Sequence, residues 1–101
     1  MKTQQGTQIM NAIEDLIRTG SATIVDVRTP AEFEMGQVLG SINIPLHRLP
    51  DRLTELGAMK NIVLCCASGG RSAQAEEYLK RQGIVCYDAG SWKDLLLLAN
   101  F

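Results

Sequence analysis

The chain has 101 residues, 46% hydrophobic and 21% charged, which suits one compact domain with a self-sufficient core and excludes a disordered or fibrous architecture. Ten basic residues against eleven acidic ones leave a formal net charge of -1, and no basic run is present to track a phosphate backbone, so nucleic acid is excluded as a partner class. The three cysteines, Cys65, Cys66 and Cys86, have no Cys-x-x-Cys spacing and one histidine, His47, to join them, so neither a metal site nor a disulfide framework is expected and each thiol is core filler or chemistry.

The first six residues are polar and lead into an amphipathic segment, which is neither a secretory leader nor a membrane span. A cytoplasmic home without membrane association is expected, the alternative being a leader removed ahead of Met1. Met10, Ile13, Leu16 and Ile17 at helical spacing, stopped by Gly20, predict a helix over 7–19. The β-branched run 22–27 predicts a buried strand. Thr29-Pro30-Ala31-Glu32 then forms a capping box opening a short helix that Gly36 ends. A short strand is expected over 41–44 and stops at Pro45, followed by helical structure through Leu46, Leu49, Leu53 and Leu56 with an interruption at Pro50. Further strands are predicted at 62–65 and 84–87, with a helix from about Ser72 to Gln82 between them and a last helix over 92–98. Strands separated by helical crossovers predict an α/β domain with a mostly parallel sheet and helices on both faces.

Ligands of such sheets collect beyond the carboxyl ends of the strands, which directs attention to the strand-to-helix loop after Cys65. That loop contains Cys66, Ala67, Ser68, Gly69, Gly70, Arg71 and Ser72. Successive backbone N–H groups leading into a helix N-terminus make a concave anion cradle, and Gly69 and Gly70 are expected to supply its unusual dihedrals. A cysteine at the bottom of the cradle should ionise below the ordinary thiol range, because amide dipoles and a nearby Arg71 favour the thiolate. A nucleophile then needs no histidine base.

The sequence Cys66-Ala67-Ser68-Gly69-Gly70-Arg71-Ser72 resembles the active-site loop of the rhodanese family. Asp26-Val27-Arg28-Thr29-Pro30-Ala31-Glu32-Phe33 and the passage from Gly36 to Pro45 resemble a second block of that family, and together the blocks and element order cover about 7–98. The resemblance implies a rhodanese-like three-layer domain and a sulfurtransferase. In it, Cys66 takes sulfane sulfur from a small donor (thiosulfate, polysulfide or persulfide), holds it as a persulfide, and passes it to a thiophilic acceptor such as cyanide or a thiol, including a protein thiol. The amides of 67–72 would bind the transferred sulfur or the donor, with Arg71 fastening the loop and adding positive potential. No metal, nucleotide or flavin is required, and the loop lacks the lysine of a P-loop. Departures from the family are Gln37 where histidine is common, Cys65 where an aromatic is common, and Asp88-Ala89-Gly90-Ser91-Trp92 in place of the usual Gly-Gly passage.

A second register competes inside the loop. Cys65 and Arg71 satisfy Cys-x5-Arg-Ser, the phosphate-binding signature of cysteine phosphatases and arsenate reductases. Against it, Cys65 extends the apolar run from Ile62 and so belongs to the strand, leaving Cys66 to begin the cradle. A catalytically inactive binding module on the same fold is the third reading. Cys65 and Cys86 read as core residues, His47 as a surface residue, and Trp92 as a cover for the core. Asp26 and Arg28 are equally suited to join the strand end to the capped helix or to touch a ligand. The run Leu95-Leu96-Leu97-Leu98 exceeds one helical face, so part of it is expected to meet a second copy of the chain.

Overall fold

The computed structural model describes residues 2–99. Its elements are α1 (Lys2–Arg18), β1 (Thr23–Asp26), α2 (Pro30–Glu34), β2 (Ile42–Asn43), a 3-10 segment (Leu46–Arg52), α3 (Leu53–Ala58), β3 (Ile62–Cys66), α4 (Gly70–Arg81), β4 (Cys86–Ser91) and α5 (Trp92–Ala99). The strands form one sheet in the order β2-β1-β3-β4, with every pairing parallel. Helices cover both faces, which gives the expected three layers.

Alternation along β3 sorts the core. Ile62, Leu64 and Cys66 point to one face, where they join Leu56, Ala75 and Leu79 from α3 and α4. Val63 and Cys65 point to the other, where they join Ile13 of α1 and Leu95 of α5. Each large side chain in these clusters is fully buried, so truncating one, such as Leu79, costs about 2–5 kcal/mol. The leucine run divides between core and surface: Leu95 is buried, Leu96 and Leu98 pack against the α1–α5 cluster, and Leu97 is 72% exposed.

The chain leaves β1 toward one edge through β2 and returns past β1 to β3 and β4. The order therefore reverses between β1 and β3, the switch point at which open α/β sheets have their ligand crevice, beyond the carboxyl ends that here fall at Asp26 and Cys66. Three elements differ from the expected ones at places that matter, the first being β3, which ends at Cys66 rather than Cys65. The strand expected at 84–87 is displaced to Cys86–Ser91, because the Ile84 N–H closes the end of α4 by donating to the Leu79 carbonyl at 2.9 Å. It continues to Ser91, with Asp88 opposite Leu64 and Ser91 opposite Cys66 on β3, while the Glu76 carboxylate accepts the Asp88 N–H and the Asp88 carboxylate accepts the Gly90 N–H. The helix expected from Ser72 begins two residues earlier, at Gly70.

Among the described residues, no helix is long and apolar enough to cross a membrane.

Candidate active site

At the carboxyl end of β1 lies a buried ion pair. Arg28 and Asp26 are 4% and 0% exposed, and Arg28 donates to both carboxylate oxygens, at 2.7 Å from Nη2 and 3.0 Å from Nε. The same guanidinium donates to the carbonyls of Glu32 and Gly36, and the Trp92 ring lies 4.5 Å from its central carbon. Asn43 reaches across from β2 to donate to the carbonyls of Asp26 and Arg28. Gly36 is needed for close approach, since a Cβ there would meet the Trp92 ring at 3.0 Å. Asp26 and Arg28 are thus occupied in joining β1, α2 and the start of α5, which is the structural member of the two roles open to them.

On the neighbouring strand, Cys66 ends β3. The expected boundary at Cys65 is corrected: β3 includes both cysteines, since Asp26 pairs with Cys65 and, past an irregularity in the ladder, Cys66 pairs with Ser91. Strand length does not separate the two thiols; the pleat does. Cys65 turns into the α1–α5 layer, fully buried, where desolvation and then the Asp26 charge push its thiol far above the ordinary range. The phosphate register needs a thiolate at that position, and the geometry opposes one. Cys86 is opposite Ile62, four residues and roughly 13 Å back along the strand direction from Cys66, and burial raises its thiol to about 11.

Cys66 turns to the α4 face and is 1% exposed at the base of the loop, with Ala67 and Ser68 exposed above it. The Gly69 N–H donates to its Sγ at 2.9 Å, and the thiol donates to Ser72 Oγ at 3.4 Å. Desolvation opposes ionisation, but the Ser72 hydroxyl and the N–H groups of Ser72, Gly69 and Ser68 outweigh it and lower the Cys66 pKa. Ser72 Oγ donates to the Gly69 carbonyl at 3.1 Å while sulfur is protonated. Once the thiol proton leaves, that hydroxyl can turn and donate to sulfur instead.

Gly69 takes φ 106, a left-handed conformation costly for any other residue, and this brings its N–H onto sulfur. Gly70 does not share this role. Already in the first turn of α4, it has ordinary helical backbone and open space where a Cβ would stand. Arg71 donates two bonds, at 2.6 and 2.9 Å, to the carboxylate of Glu32 across the crevice. It is a fastener whose charge is already matched, so its expected contribution of positive potential is largely absorbed by that carboxylate. Sequence reasoning missed Glu32 as part of the site, although its place in the capping box was legible; the signal lay in an acidic N3 residue on the helix that faces the loop.

Comparisons with known proteins give the family. The Rhodanese-like domain family matches residues 10–97. The chain belongs to that family. A protein named sulfurtransferase from Allochromatium vinosum is 40% identical over 68 residues, covering 67% of this chain and 64% of its own length. The thiosulfate sulfurtransferase PspE of Escherichia coli is 34% identical over 76 residues, covering 72% of this chain and 73% of its own. This rhodanese-like chain thus spans less than two thirds of the first of these relatives. A crystal structure from Staphylococcus saprophyticus superimposes with a TM-score of 0.73 at 31% identity, covering 87% of this chain and 88% of that one.

Proposed function

We propose that the protein is a sulfurtransferase that works through a persulfide on Cys66. The observation that carries the reading is the convergence of the Gly69 N–H and the Ser72 hydroxyl on one buried sulfur whose ionisation is favoured. In the first step the Cys66 thiolate attacks the outer sulfur of the donor. A new S–S bond forms, the donor's S–S bond breaks, and its electron pair leaves with sulfite from thiosulfate or with a thiolate from a persulfide. In the second step cyanide or a thiolate attacks the terminal sulfur, and the pair of the Cys66 S–S bond returns to Cys66. No net oxidant is consumed. The loop amides that stabilise the thiolate then serve the terminal sulfur of the persulfide, where the charge lies after the first step. The donors are a small sulfane-sulfur compound, and the acceptor is a small thiophile or a protein thiol.

Two half-reactions through a covalent intermediate give ping-pong kinetics. The reading is tested by loading the protein with thiosulfate or polysulfide, removing the donor by desalting, and adding cyanide. It expects about one thiocyanate per chain from a single loaded nucleophile. No thiocyanate from the desalted protein would overturn it.

A further inference from the structure

Both arginines beside the crevice are already committed. Arg28 is buried and spends its donors on Asp26 and on the carbonyls of Glu32 and Gly36. Arg71, on the first turn of α4, is the one side chain of the loop that carries a full positive charge, yet it directs two N–H groups to Glu32. Glu32 is itself held in place. Its Oε1 accepts from both the N–H and the hydroxyl of Thr29, and Thr29 Oγ1 accepts the Glu32 N–H in return. One carboxylate therefore closes the α2 capping box and ties down the cation of the Cys66 loop. The Arg71 bonds, followed by the Thr29 amide, hold that carboxyl at about 2, so the pair is charged throughout the neutral range.

Donor chemistry makes this arrangement consequential. Thiosulfate is a dianion, and its leaving group, sulfite, departs with two charges that a free guanidinium would bind bidentately. A persulfide presents one charge and releases a thiolate with one charge, which backbone dipoles can accommodate. We propose that Glu32 is a specificity-determining positioning residue: by immobilising and neutralising Arg71 it leaves the cradle over Cys66 to backbone dipoles and favours persulfide donors over thiosulfate. This rests on the sulfurtransferase reading above.

The test uses the full chain, with thiosulfate and 2-hydroxyethyl persulfide as donors and cyanide as acceptor. Glu32→Gln keeps an acceptor for the capping box and removes the charge that holds Arg71. It is expected to raise the ratio of thiosulfate to persulfide kcat/KM about three- to tenfold, mainly through a lower thiosulfate KM and with a steeper loss on adding salt. The double variant Glu32→Gln/Arg71→Gln is expected to return the ratio to its starting value. Arg71→Gln alone is expected to affect both donors by the same factor, because it loosens the loop without removing a donor-binding charge. An unchanged ratio in a folded Glu32→Gln protein, or a selective rise in thiosulfate KM for Arg71→Gln, would overturn the role given to Glu32. Failure of both donors to place sulfur on Cys66 of the unaltered protein would instead overturn the sulfurtransferase reading beneath it.

Discussion

Cys65 and Cys66 share a peptide bond, but the first turns into the layer under α1 and α5 and the second into the layer under α4. Both are buried, so burial alone does not distinguish them. Cys65 meets apolar neighbours and the Asp26 charge, and its thiol is pushed up; Cys66 meets N–H groups and a hydroxyl, and its thiol is pulled down. The difference teaches that the reactivity of a strand cysteine here is decided by which face of the pleat receives the loop, and that desolvation is overcome only where donors are fixed in advance.

The largest effect should come from removing the Cys66 thiol. Cys66→Ala is expected to lower sulfur transfer at least about a thousandfold, the scale of losing a covalent nucleophile. Thiocyanate formation measures it, and substantial residual turnover would break the comparison. Next is the buried ion pair at the end of β1. Arg28→Ala leaves Asp26 buried without its partner and should destabilise the fold by about 3–5 kcal/mol in urea denaturation.

Gly69→Ala forces a Cβ onto a backbone at φ 106, costing about 1–2 kcal/mol, and should lower kcat about a hundredfold if it draws the N–H away from sulfur. A stability loss without a rate loss would show that the amide is dispensable. Ser72→Ala sharpens the comparison by pH. The thiolate is the reactive form, and the Ser72 hydroxyl lowers the Cys66 pKa, so removing it moves the rate profile to higher pH. The loss, about tenfold for one hydrogen bond to a charged group, should be fullest below the midpoint of the unaltered protein and should shrink above that of the variant. Smallest is Cys65→Ala, which should leave turnover within about twofold and cost about 1 kcal/mol for the lost packing.

Much of this was legible in the residues. The capping box at Thr29 and Glu32 follows from local chemistry and forms as expected. The alternation of extended and helical segments predicted the parallel sheet, which placed the loop after β3 at its carboxyl end. What was not legible depended on partners far along the chain. The Asp88 N–H on the extended β4 is taken by the Glu76 side chain of α4, and the charge of Arg71 is matched by Glu32, 39 residues away. The strand's apparent end in the sequence points to Cys66, whereas the physical basis of that choice is the alternation of Ile62, Leu64 and Cys66 against Val63 and Cys65.

The most direct test of that basis is intact mass followed by peptide mapping after brief exposure to polysulfide, in the unaltered protein and in Cys65→Ala and Cys66→Ala. The account predicts a gain of about 32 Da, one sulfur atom on one activated thiol, that maps to Cys66, persists in Cys65→Ala and is absent from Cys66→Ala. Sulfur mapped to Cys65, or retained when Cys66 is replaced, would contradict it.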